Sequence, residues 1–491
     1  MTAVTGGKVA RGAAWMLVAR LTDRAIGLAS TVILARLLSP ADFGLVAMAM
    51  AVIALIEVAS AFGFEVPLIR EAKPARTHYD TVWTLNLLFG CGCGAAIALA
   101  AWPAAAFYAD ARIVPIMLVL AAAWAVGGLA NVGVVDFRRE LNFAKEFRFL
   151  MFTRISSFAV TIPSAFIFQS YWALIAGMAT GRVVNVVLSY LWHPFRPRIC
   201  LKASRELFSF SVWLFVEKLA AFGNARLGDF LLGRTHGPTE LGVYRLGEEI
   251  GYLPGSELVA PINRAFLPGA SRLVESGRSM AQVLLSTNGI VALFSLPACL
   301  GIAAVADPLV RAMLGERWLA AVPIVQIMAV NAVFVSLWST QQTALLAAGF
   351  PEAPGRVALA RFAVFFPCAL LLTPLSGAEG LALAVLVSST WALGLGLTMT
   401  SRRISFGFGP YFLSMWRPLT AATLMFFVVS WVTDGMTPSP SSLLSLMHLA
   451  VAIAVGAFSY ALLLALLYFI SGRPQGAEQR LFEELRAWLR R

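Results

Sequence analysis

Three charged side chains, Arg20, Asp23 and Arg24, fall near the middle of an apolar run at residues 12–37 that is long enough to cross a bilayer. One Arg or Asp at the centre of a membrane helix costs roughly 2.5–3.5 kcal/mol on insertion scales, so such residues face a protein interior or a wet cavity and mark a pathway. On a helix, positions 20 and 24 share a face with position 23 beside them. That face is expected to line a polar cavity.

Further charges recur in later apolar runs. Lys218, Arg182 and Arg226 join Arg20 and Arg24 as candidates for a cationic cavity. Several cations around one space suit a pyrophosphate, because charge-assisted bonds to phosphate are strong and the Arg fork matches its oxygens in pairs. Asp23, Glu57, Asp229 and Glu248 are candidates for ion coupling, since a carboxylate in a low-dielectric site can carry a proton or bind sodium. The competing reading is ion pairing within the bundle. Asp23 can neutralise Arg20 or Arg24, Asp229 follows Arg226 by three, Glu217 adjoins Lys218, and Glu57, Glu248 and Glu249 are further partners. For Arg154, Arg182, Arg226, Arg264 and Arg361 a further competitor is snorkelling, since those closer to a helix end can reach the headgroups.

The elements that must position these residues are membrane helices. With 491 residues, 59% apolar, 13% charged and a mean hydropathy of +0.78, the chain is a polytopic membrane protein rather than a set of soluble domains. Fourteen spans are predicted, at 12–37, 44–66, 81–106, 113–134, 149–168, 171–192, 206–233, 242–266, 281–305, 320–347, 356–375, 378–400, 411–433 and 443–470. An even number puts both termini on one side. The connections on that side hold about two dozen Lys and Arg against about five on the other, which places the termini in the cytoplasm. The net charge of +12 is therefore a topology signal, not a nucleic-acid footprint. No cleavable leader is read in the first run, which carries central charges and continues into a second span.

Sliding the chain against itself by 198 residues aligns Trp15 with Trp213, Arg20 with Lys218, Arg36 with Arg234, Pro40 with Pro238, Asp42 with Glu240 and Gly44 with Gly242, without a gap. The shift of six spans preserves orientation, as in parallel repeats whose two lobes share a substrate site suited to alternating access. The expected fold is an all-α polytopic membrane protein of about 14 helices: two six-helix lobes related by the repeat, plus two C-terminal helices. The expected boundaries are 8–200 for the N-lobe, 201–403 for the C-lobe, 404–471 for helices 13 and 14, and 472–491 for a basic amphipathic tail on the cytoplasmic membrane surface.

Enzyme and metal signatures are absent from this reading. The run GCGCG at 90–94 lies inside an apolar span and lacks the Lys-Ser/Thr of a phosphate loop; its small residues suit close helix packing. The five cysteines and four histidines follow no disulfide or zinc pattern. Proline at IPSAF (162–166) and SLPACLG (295–301) marks kinks.

The stretches ARLLSPADFGLVAMA, FGFEVPLIR with TVWTLNLLFG, and DFLLGRTHGPTELGVYRLGEEIGYLPGSELVAPINRAFLPGASRL resemble the polysaccharide-transport flippases of the multidrug/oligosaccharidyl-lipid/polysaccharide exporter superfamily. The resemblance spans roughly residues 8–400. One departure is the acid pair Glu248 and Glu249, where the family form carries more Tyr and Arg. The resemblance implies a flippase that moves undecaprenyl-pyrophosphate-linked oligosaccharide repeat units across a bacterial inner membrane by alternating access, for exopolysaccharide or O-antigen biosynthesis. It implies no catalysis and no cofactor beyond a coupling ion, proton or sodium. The expected partners are the lipid-linked oligosaccharide, membrane lipids and the polysaccharide polymerase machinery. Two other readings stay open: a drug or cation antiporter of the same superfamily, and a membrane polysaccharide polymerase or ligase. The short outward links count against the latter.

Overall fold

The structure, a computed structural model, describes residues 22–60, 68, 74–140, 142–202, 212–275, 279–436 and 442–472. Among these the secondary structure is helical throughout, and each of the fourteen expected spans overlaps a helix. The helices are apolar around most of their circumference, as segments bathed in lipid or packed against other helices must be. The predicted tail at 472–491 lies almost wholly outside the described residues, as does Arg20.

By their internal contacts the residues divide into two compact units, 1–242 and 243–491. In the first, α1 (22–37), α2 (Pro40–Ser60), α3 (Arg76–Tyr108) and α4 (Ile113–Gly127) are followed by the short α5 (Asp136–Arg139), then α6 (Phe143–Phe168), α7 (Trp172–Trp192) and α8 (212–236). The second begins within α9 (238–275) and continues through α10 (Met280–Ala304), α11 (Ala306–Met313), α12 (Val322–Ala347), α13 (352–375), α14 (378–404), α15 (Phe408–Leu413), α16 (Trp416–Asp434) and α17 (Ser442–Ile470).

Helix ends follow backbone chemistry. α8 and α9 form one helical stretch broken at Gly237, whose φ of 81° belongs to the left-handed region that glycine tolerates. α13 and α14 are divided in the same way at Ser376 and Gly377. The expected fourth span, 113–134, is shorter than its hydropathy suggests. Its helix stops at Gly127, and the chain turns by 74° into a 3-10 turn at Val132–Val135 that leads into α5. Buried Asn131 fixes this corner: its side chain accepts from Gly133 N at 2.9 Å and donates to Phe195 O at 2.7 Å. Pro163 and Pro297 both lie inside continuous helices.

The glycines of the GCGCG run do pack tightly. A Cβ at Gly90 would come within 2.7 Å of Gly128 Cα, and one at Gly94 within 2.8 Å of Ala121 O, so α3 and α4 approach at backbone distance. The core of the first unit includes Leu34, Leu38, Ala165 and Ala173; that of the second is built around Leu284, Leu296, Ala332, Leu337 and Tyr411.

The repeat has a direct structural counterpart inside the first unit. Gly44 stands against the Pro238 carbonyl and Gly242 against the Pro40 carbonyl, so the two equivalent turns pack reciprocally. Such a contact is what a two-fold relation between equivalent segments produces.

Candidate functional site

A cavity of about 790 Å³ opens within the first unit, walled by α1, α2, α4, α6 and α7. α6 supplies half of the wall, with Phe143, Phe147, Leu150, Met151, Arg154 and Ser157 among its contributions. These positions recur every three or four residues and therefore share one face. α7 adds Met178, Gly181, Arg182 and Asn185 by the same spacing. The two helices are held together where Ser157 Oγ donates to Gly177 O at 2.8 Å, and where a Cβ at Gly177 would clash with Thr161 Oγ1.

Two ion pairs line this cavity. Arg154 Nε lies 3.2 Å from Asp23 Oδ1, with both side chains about half exposed. Gly27, one turn along α1 from Asp23, leaves room for the Arg154 guanidinium. Arg182 Nη2 lies 3.8 Å from Glu57 Oε1, and its guanidinium carbon is 3.5 Å from the centre of the Trp124 ring. Trp124 also stands beside the Glu57 carboxylate. Gly127, on the next turn of α4, faces the Arg182 stem. Trp124 thus flanks both the cation and its counter-ion, and its face attracts the guanidinium.

The charge chain continues behind the cavity wall. Arg226 on α8 acts electrostatically on Glu57 and lies 3.5 Å from Asp229, whose side chain is 1% exposed. The order Arg182, Glu57, Arg226, Asp229 alternates in sign, which offsets part of the cost of desolvating each member. Tyr108, buried beside Asp229, stacks on Phe230 with ring centres 6.3 Å apart.

The sequence-derived candidates therefore separate. Asp23 and Arg182 line the cavity directly; Glu57, Arg226 and Asp229 form the network beside it. Arg24 lies half-buried on α1. Lys218 falls on α8, but its side chain, like all of Arg20, is outside the described residues. Glu248 belongs to the second unit, where Arg245 Nη1 donates to it at 2.6 Å. Asp23 meets Arg154 of α6, and Arg154 lines the cavity instead of reaching toward headgroups. Trp124 and the α6 stripe were missed in the sequence. The stripe had a helical period to betray it; Trp124 meets its partners from other helices and leaves no local pattern.

Among the described residues no group of three His, Cys, Asp or Glu is placed to hold a metal ion. What the fold and the charged intramembrane cavity define is a multi-pass α-helical membrane transporter.

The chain belongs to the polysaccharide biosynthesis protein family, whose model matches residues 33–323. It is 24% identical to the teichuronic acid biosynthesis protein TuaB of Bacillus subtilis (strain 168) over 422 residues, covering 83% of this chain and 84% of that protein. It is 23% identical to the lipopolysaccharide biosynthesis protein WzxC of Escherichia coli (strain K12) over 424 residues, covering 84% and 85%. Among solved structures, the lipid II flippase MurJ in an inward closed conformation shares the fold, with a TM-score of 0.75 at 14% identity over 93% of this chain and 99% of that one.

Proposed function

We propose that the protein is a flippase that moves undecaprenyl-pyrophosphate-linked oligosaccharide repeat units across the bacterial inner membrane for exopolysaccharide or O-antigen biosynthesis. The observation that carries this reading is the pair of cavity cations, Arg154 and Arg182, each held by a carboxylate on a different helix. A pyrophosphate likewise presents paired oxygens to a guanidinium fork and carries higher charge, so it can replace those carboxylates at the guanidinium groups. The α6 wall adds aromatic Phe143 and Phe147 beside polar Glu146, Thr153 and Ser157, a mixture that suits the faces and hydroxyls of sugar rings. Relatives named for teichuronic acid and lipopolysaccharide biosynthesis support the substrate class.

In this mechanism Arg154 and Arg182, with Arg20, Arg24, Lys218 and Arg226 from the two repeat-related helices, hold the pyrophosphate. Asp23 and Glu57, once released, with Asp229 and Glu248, couple transport to a proton or sodium ion. The lobes 8–200 and 201–403 rock against each other to expose the site alternately, with both termini in the cytoplasm and the polysaccharide polymerase as the downstream partner. A deletion strain tests the function. Loss of surface polymer with lipid-linked repeat units accumulating on the inner leaflet is expected; unchanged polymer export contradicts it.

A further inference from the structure

The segment between α7 and α8 forms an extended strap over residues 193–202, HPFRPRICLK, across one end of the first unit. Its inward side is pinned to α3. Arg198 N donates to Asp80 Oδ1 at 2.8 Å and Cys200 N to Thr84 Oγ1 at 2.9 Å, while Arg76 Nη2 donates to Arg196 O at 3.2 Å. Phe195 packs on Tyr79 with ring centres 5.3 Å apart. The register is therefore fixed by backbone bonds to buried or half-buried polar groups, and the side chains left pointing away are determined by it.

Those outward side chains are of two kinds. Arg196, Arg198 and Lys202 are exposed, and among the described residues none of their charged groups meets a carboxylate. Between them stand Ile199, 80% exposed, and Leu201, 48% exposed. An Ile so exposed beside cations is out of place in water and at home at the membrane interface, where apolar side chains enter the acyl boundary and cations stay with the headgroups. Among the described residues, the acids in direct contact with the strap are Asp80 and Asp136, which pair with Arg76, Arg139 and His193 and not with Arg196, Arg198 or Lys202. Ion pairing holds Arg403, in the connection after α14, differently: it lies 3.9 Å from Glu352 and over the Phe350 ring.

From this placement we propose that the strap 193–202 is a binding site for anionic phospholipid headgroups. Arg196, Arg198 and Lys202 meet the headgroup phosphates, and Ile199 and Leu201 seat the strap in the lipid. A fixed backbone presenting cations that meet no carboxylate among the described residues gives a localised site, where a mobile basic loop gives only diffuse attraction. The site is independent of what the cavity carries and of the direction of transport.

The test uses the full-length protein in nanodiscs of zwitterionic lipid doped with an anionic phospholipid, with retained lipid counted by native mass spectrometry. The expected result is that wild type retains the anionic lipid, that raised salt strips it, and that Arg198→Gln/Lys202→Gln retains roughly five- to tenfold less. The matched control Arg402→Gln/Arg403→Gln removes the same charge and is expected to leave retention near wild type. Equal losses in the two double variants would reduce the effect to general electrostatics and overturn the site. Wild type that holds anionic lipid no better than zwitterionic lipid overturns it whatever the variants do.

Discussion

Gly44 lies so close to Pro238 that a Cβ added at position 44 would come within 1.7 Å of the Pro238 carbonyl oxygen. The counterpart contact of Gly242 with the Pro40 carbonyl oxygen would close to 1.9 Å. Neither gap admits even a methyl group, and backbone carbonyls cannot swing aside as a side-chain tip can. Gly44→Ala and Gly242→Ala are each expected to destabilise the protein by at least the ~1–3 kcal/mol of an overpacked core, read as a lowered thermal midpoint in detergent. Because the contacts are reciprocal, the two effects are expected to be alike; a change in only one of them would break the symmetry.

Arg182 is held by the Trp124 face and by Glu57 together. Arg182→Ala is expected to lower the flipping rate about tenfold or more, since a charge-assisted contact is worth on the order of 1.5–3 kcal/mol. Arg182→Lys keeps the charge but loses the planar stack and the paired donors, so an intermediate rate is expected. Equal rates for the Lys and Ala variants would show that charge at this position does nothing.

The pair Asp23 and Arg154 makes a different prediction, because both members are about half exposed. Exposed pairs contribute only ~0–1 kcal/mol to stability. Asp23→Asn is therefore expected to leave the thermal midpoint within a degree or two while changing transport. Thermal denaturation and flipping measured on one preparation separate the two roles, and a large loss of stability would make the pair structural.

His193 gives a pH prediction at the end of α7. Burial pushes its imidazole below the ordinary value of 6.5, against the opposing pull of Asp136 and Glu140, and Lys145 adds to the lowering. Its Nδ1 accepts from Phe195 N at 3.2 Å while Nε2 faces Asp136 at 3.4 Å, the arrangement of a neutral ring. A group with a depressed folded-state pKa stabilises fully above its unfolded value, and that contribution is lost as pH falls toward the folded one. Between about pH 7.5 and about pH 5.5 the thermal midpoint of wild type is expected to fall more steeply than that of His193→Asn. Parallel curves would remove His193 from the pH response.

How far the sequence disclosed all this follows from where each signal resides. Charges inside apolar runs are legible because their cost is local, so Asp23, Glu57, Arg182, Arg226 and Asp229 stood out before any helix was placed. The gap-free shift of 198 residues paired Pro40 with Pro238 and Gly44 with Gly242, the residues that pack reciprocally. Partner choice was not legible. Asp23 had Arg24 beside it in the chain yet meets Arg154 on α6, because the packing of helices decides which side chains converge. The corner after Gly127 was hidden as well: hydropathy continues through Val135, while the glycine pair and the Asn131 bonds end the helix.

The central claim is tested most directly by reconstituting the purified protein in proteoliposomes carrying a labelled undecaprenyl-pyrophosphate oligosaccharide on one leaflet and measuring its appearance on the other. Wild type is expected to move it faster than protein-free vesicles, with the rate lost in the double variant Arg154→Ala/Arg182→Ala. Movement no faster than in protein-free vesicles contradicts the flippase; full activity in the double variant contradicts the assignment of the cavity.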